Sequence, residues 1–101
     1  MINKKEKELL SNIVWKNAKN IANLIVNKDI KSAYIKYETT RDIANIFDNS
    51  NMLDETITEK LLLKFSEKNV NLFMESFKVN YTNYNKNEYG ITEYEVLERT
   101  N

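Results

Sequence analysis

The chain contains no cysteine and no histidine. Without cysteine there are no disulfides, no thiolate chemistry and no cysteine-based zinc or iron–sulfur sites. With histidine absent as well, the usual nucleophile–base pairs and most transition-metal sites cannot be built. No cofactor and no metal are therefore expected. The lack of cysteine fits a reducing compartment, and a cytoplasmic location is the expectation. Proline is also absent, so helices have few forced stops. The single glycine, Gly90, rules out a glycine-rich phosphate loop. Apolar runs reach only "LLL" at 61–63, too short to span a membrane. The opening "MINKKEKELL" is basic but leads into no apolar stretch, so no signal peptide is expected.

What remains is enough for one small core. The 101 residues match one domain, and no linker or repeat divides them, so residues 1–101 are read as a single compact domain. At 42% apolar and zero net charge the composition is that of a folding chain, not a disordered one. Asparagine occurs sixteen times, and lysine and isoleucine are frequent, as AT-rich coding favours. Charge is ordered along the chain. Residues 1–41 carry nine Lys/Arg against four Asp/Glu, a net of +5, and residues 42–101 carry six against eleven, a net of −5. Such asymmetry suggests a polarised surface, or two halves that attract each other within the fold.

Helical periodicity dominates. Over 4–27, Leu10, Ile13, Val14, Ala18, Ile21, Leu24 and Ile25 share one broad face, with Lys5, Asn12, Lys16, Lys19 and Asn23 opposite. Asn3 and Glu6 form a capping-box pattern, and Trp15 lies at the margin of the apolar face. Residues 29–48 read as a second helix through Ile30, Ala33, Tyr34, Tyr37, Ala44 and Phe47. "TTRD" at 39–42 could restart that helix, which would leave "SAYIKYE" as a short strand. "DNSN" at 48–51 reads as a loop, and a third helix follows over 54–68 with Asp54 as N-cap. Helix is expected from 69 to about 78. Beyond that, Phe77, Val79 and Tyr81 alternate as in a strand. The chain then has either a frayed helix end or a hairpin turning near "NKNEYG" and returning through "ITEYEVLE". The expected fold is mainly α, a small antiparallel three- to four-helix bundle with a C-terminal β-hairpin as the open alternative at its end.

Several site patterns fail in detail. "TTRDIANIFDNSNMLDETITEKLL" has the outline of a helix-turn-helix, but Asp48 stands where the turn wants glycine. The would-be recognition helix also opens with Asp54, Glu55 and Glu59, which phosphates repel. From Asp48 to Glu59 the spacing is that of a calcium loop. However, Met52 takes a ligand position and Leu53 the place of the turn glycine. Glu93, Glu95 and Glu98 cluster as a solvated face does, and 101 mainly helical residues leave little room for a catalytic cleft, so no enzyme is expected. The lysine stripe of the first helix could track phosphates or an anionic membrane; a solvated face explains it as well.

The most informative segment is "NYTNYNKNEYGITEY", residues 80–94. It holds Tyr81, Tyr84, Tyr89 and Tyr94 beside Asn80, Asn83, Asn85 and Asn87, with Glu88, Glu93 and Glu95 making it acidic. Tyrosine gives large contact area at small entropic cost and asparagine adds adaptable hydrogen bonds, a pairing found in binding loops. The tyrosines would serve equally well folded onto the bundle as core. Together these features describe a small non-enzymatic interaction protein. It would bind a protein partner with a basic surface, stoichiometrically, through this acidic Tyr/Asn-rich region. Size and composition suit a phage or mobile-element inhibitor, such as an anti-CRISPR protein. The rivals are a DNA-binding regulator using residues 39–65, with nucleic acid the less favoured partner, and a homodimer that buries its aromatic tail.

Overall fold

A computed structural model describes residues 3–47, 50–83 and 89–99, with the backbone alone at 89–92. The described residues form five α-helices, α1 (Lys4–Val26), α2 (Ile30–Ile46), α3 (Ser50–Leu62), α4 (Glu67–Asn80) and α5 (Tyr89–Glu98), with one 3₁₀ turn at Tyr81–Asn83 after α4. There is no strand among the described residues.

The first helix follows its sequence pattern. The Asn3 side chain accepts from the Glu6 amide at 2.8 Å and starts it. Val14, Ala18, Ile21, Ala22 and Ile25 bury one stripe. Two of these are alanines, and Ala33 and Ala44 of α2 are buried as well. Leu10, expected in that stripe, is only half-buried, and Ile13 is 44% exposed. The first turns of α1 thus run beyond the elements it packs on. At the other end the Asp29 amide donates to the Leu24 carbonyl and the Lys28 amide to that of Ile25. This is a Schellman ending, with Lys28 in the left-handed region at φ 66° where glycine is usual. Three residues therefore reverse the chain, and α2 returns antiparallel, its N-terminus capped by Asp29 through the Ser32 amide.

The core joins all five helices. Its centre is an aromatic column. Phe77 of α4 stacks on Tyr34 of α2 at 4.8 Å and on Phe73 at 5.4 Å, and meets the edge of Tyr37 at 5.0 Å. Burying such rings contributes more than any local propensity in the segment, and their offset and edge contacts add about 0.5–1.5 kcal/mol per pair.

Four expectations are corrected. First, α2 does not break at Thr39-Thr40, and "SAYIKYE" is helix. The Thr39 and Thr40 hydroxyls donate to the Ile35 and Lys36 carbonyls one turn back, so they are satisfied inside the helix rather than spent on a new cap. Second, α3 starts at Ser50, so Ser50 and Asn51 of the expected loop are helical and Asp54 is not an N-cap. Residues 50–59 being helical, no calcium-type loop forms there. Third, α3 ends at Leu62 rather than near 68, because the Ser66 hydroxyl starts α4 by accepting from the Asn69 amide. Fourth, the bundle has five helices rather than three or four, and "ITEYEVLE" is α5, not the return strand of a hairpin. A strand would put Phe77 and Val79 on one face. Instead Phe77 is fully buried and Val79 is 71% exposed, which is helical phasing. The turn expected near "NKNEYG" lies largely outside the described residues.

Candidate interaction surface

The C-terminal side of the molecule is built in layers outward from the aromatic column. Tyr37 is fully buried, yet its hydroxyl reaches the edge of the core. It donates to Asp54 Oδ1 of α3 at 2.5 Å and accepts from Arg41 Nη1 at 2.9 Å. Arg41 and Asp54 close the triangle at 3.9 Å, both partly exposed. Burial pushes the Tyr37 phenol well above its ordinary value; the hydrogen bond to Asp54 and the charge of Asp54 push the same way, and Arg41 opposes them. Burial works to lower the Arg41 guanidinium's value, but charge and hydrogen bonding with Tyr37, with the charges of Asp54 and Tyr81, move it upward on balance. The phenol is therefore a firm neutral donor and the guanidinium a permanent cation, which makes this a structural clamp between α2 and α3.

Tyr81 sits on top of this clamp. Its ring meets the edge of Tyr37 at 5.0 Å and lies 5.8 Å from the Arg41 guanidinium. It is half-buried. Beside it runs a groove between α3 and α4, lined by Asn51, Asp54, Glu55, Thr58, Glu59 and Lys78. Asn51, Asp54, Glu55, Thr58 and Glu59 fall on one helix face by their spacing of three and four. Three carboxylates against one lysine leave the groove acidic.

α5 packs on α4 through both polar and apolar contacts. Glu93 is only 4% exposed, and its Oε1 accepts from Ser76 Oγ at 3.1 Å and Asn80 Nδ2 at 2.7 Å. Its Oε2 is buried without a hydrogen-bond partner. Tyr94 is 6% exposed; its ring meets Phe65 edge-on at 6.2 Å, and its hydroxyl donates to the Val26 carbonyl at 3.4 Å. Lys28 lies over the same ring at 5.3 Å. Leu97 is buried, and the Asn69 amide donates to the carbonyls of Leu97 and Arg99, capping the end of α5.

The seven residues singled out from sequence thus divide. Tyr81 is half-buried and Glu95 exposed, whereas Glu93 and Tyr94 are inside, fixing α5. Tyr84 and Glu88, and the side chain of Tyr89, lie outside the described residues. Sequence reasoning missed the α3–α4 groove. The sequence offers Asp54, Glu55 and Glu59 as a helix start, a phosphate-repelling face or part of a calcium loop, none of which is this groove. Their spacing on one face, with Asn51 and Thr58 between, was the signal that they make a surface of their own. It also missed the Tyr37–Arg41–Asp54 clamp, because the link to Asp54 spans seventeen residues.

Among the described residues no group of histidine, cysteine, aspartate and glutamate side chains is placed to hold a metal ion. No described helix is long and apolar enough to cross a membrane. What the arrangement offers is a small helical module with acidic and aromatic residues on its C-terminal side. In comparisons with known proteins, no family model, no curated protein and no solved structure matches the chain.

Proposed function

We propose that this chain is a non-enzymatic, cytoplasmic interaction protein that binds a protein partner stoichiometrically through its acidic, Tyr/Asn-rich C-terminal side. The observation that carries this reading is the placement of Tyr81. Its ring is anchored on Tyr37 and Arg41, and the half-buried residue stands beside an acidic groove and at the start of the Tyr/Asn segment. A pre-positioned aromatic with a polar surround is the usual form of a binding hot spot. Tyr81 and Glu95 would touch the partner directly, together with Tyr84, Glu88 and Tyr89. Glu93 and Tyr94 would serve by fixing α5. The exposed carboxylates favour a basic partner surface, including one that otherwise holds nucleic acid. Size and AT-rich coding extend the reading to a phage or mobile-element inhibitor of the anti-CRISPR kind. The DNA-binding alternative over residues 39–65 loses support, since Asp54 is tied to Tyr37 and Arg41 while Glu55 and Glu59 keep the α3 face acidic.

The test is affinity capture from a bacterial host lysate with wild type, Tyr81→Ala and Glu95→Lys. A partner retained at one-to-one stoichiometry by wild type and lost by both variants while each remains folded is expected, with the melting curve unchanged for Glu95→Lys and lowered for Tyr81→Ala, whose ring packs on Tyr37. Loss of capture only where the variant also unfolds, or equal capture by all three, refutes the surface.

A further inference from the structure

The first turns of α1 carry a second apolar stripe that the core does not use. Leu9 is 57% exposed and Ile13, one turn further on, is 44% exposed. Glu6 precedes Leu9 by three residues and Lys16 follows Ile13 by three, so the four side chains rise along one face of the helix. The buried stripe runs on the other side, with Ala18 standing about 180° around the helix from Leu9. Glu6 and Lys16 are both exposed, and neither makes an ion pair among the described residues. Lys5 and Lys19 lie at the edge of the face. The Lys19 ammonium is drawn to 4.1 Å from the Trp15 ring, and Trp15 stands about 160° around the helix from Ile13.

The order Glu6, Leu9, Ile13, Lys16 is complementary to itself when reversed. Two α1 helices laid antiparallel and centred on Ser11 set Leu9 against Ile13 of the second copy and Glu6 against its Lys16, and symmetry repeats each pairing. A parallel pairing would put Glu6 on Glu6 and Lys16 on Lys16, which like charges disfavour. The steps of three, four and three residues are those of a coiled-coil seam. There is also room for a second helix, because the first turns of α1 run beyond the elements it packs on and Leu10 is only half-buried. In the antiparallel pairing each free end lies beside the other copy's Lys16, so the two bundles stand at opposite ends of the seam.

We infer that α1 pairs with a second copy of this chain, antiparallel, through Glu6, Leu9, Ile13 and Lys16. From residue 6 to residue 16 the seam is about 15 Å long. That is less than a permanent dimer buries, so the pairing is weak and depends on concentration. The site lies on a different element from Tyr81 and Glu95 and stands whether or not the C-terminal surface binds. The dimer presents that surface twice, and a partner with two matching sites would be held by both.

Sedimentation equilibrium of the full chain tests this, over loading concentrations from about 10 μM to about 1 mM. A monomer–dimer equilibrium with a dissociation constant of about 10⁻⁴ M is expected, as a small interface gives. Leu9→Asn, at an exposed site, should abolish the dimer with the dilute melting curve unchanged. Glu6→Lys and Lys16→Glu should each weaken it at least about tenfold, by setting like charges in register. The double variant Glu6→Lys/Lys16→Glu exchanges the two charges and should recover the wild-type constant. A chain that stays monomeric throughout leaves the stripe to another occupant and overturns the inference. So does a dimer that survives Leu9→Asn, which would lie on another surface. A dimer that neither single charge variant weakens, or one that the double variant fails to restore, overturns the antiparallel pairing.

Discussion

Tyr37 concentrates the polar energetics of this fold in one hydroxyl. It donates to a carboxylate and accepts from a guanidinium at the margin of the core, so both contacts are charge-assisted. Tyr37→Phe keeps the edge contacts of the ring with Phe77 and Tyr81 and removes only the oxygen. The expected loss is about 1.5–3 kcal/mol, the range for hydrogen bonds to charged groups, read from urea denaturation. The same residue predicts an alkaline limit. Its folded-state value is raised, so between the ordinary tyrosine value of about 10 and its own higher one the folded protein binds a proton that the unfolded chain has lost. The contribution is complete below pH of about 10 and is lost as pH rises above it. Denaturation midpoints at about pH 8 and about pH 11 should fall more for wild type than for Tyr37→Phe. Equal falls would show that other groups set the limit. Glu93 is the opposite case, a buried carboxylate with one oxygen bonded twice and the other orphaned. Glu93→Gln keeps the acceptor for Ser76 and Asn80 and removes the buried charge. An increase in stability of about 1 kcal/mol is expected, because an amide costs less to bury than an anion. A loss instead would mean that the amide's N–H groups, set where the orphaned oxygen was, find no acceptor.

At the scale of elements, legibility followed periodicity. α1 was readable because its apolar stripe repeats over about four turns and its cap sits at Asn3. α2 was readable as helix, but not as unbroken: Thr39 and Thr40 look like a cap in sequence and behave as back-bonded helix residues in space. The start of α3 was misplaced because Asp54 is a good N-cap by type, while its carboxylate is used across the bundle by Tyr37. α5 was the least legible. In ten residues it buries Glu93, Tyr94 and Leu97, a pattern in which a polar residue stands where an apolar one is expected. The site was partly legible for the same reason. Tyr81 was found by composition, whereas the inward direction of Tyr94 and Glu93 depends on α5 packing against α4, which no local pattern encodes. That packing can be tested as a unit. Asn69 is buried and caps two carbonyls at the end of α5, so Asn69→Ala should cost about 1–3 kcal/mol through unpaired buried acceptors. Hydrogen exchange should then quicken in α5 well before α1, as expected for a terminal element that opens locally. Uniform acceleration across all helices would show that α5 does not open separately.

For the molecule as a whole, zero net charge conceals a division. The +5 of residues 1–41 falls on α1 and most of α2, and the −5 of residues 42–101 falls on α3 and α5, α4 being neutral. Because α1 packs on both α2 and α3, the two signs are neighbours in the fold, and part of the attraction is internal. The remainder is surface, and it sets which partners approach. A chain that reads duplex DNA neutralises several phosphates at once, and the affinity then falls steeply with salt. Here the helix nearest to a recognition position, α3, presents Asp54, Glu55 and Glu59 to its groove, and Arg41 is held between Tyr37, Asp54 and Tyr81 instead of reaching outward. The lysines of α1 remain, but they stand against carboxylates elsewhere on the same small surface. Fluorescence anisotropy with duplex DNA over a salt series should therefore show only weak binding that vanishes near physiological ionic strength. Specific binding tighter than about 10⁻⁸ M, the level of genuine operators, would place phosphate recognition on α1 and make the basic half, not the acidic one, the working surface of the protein.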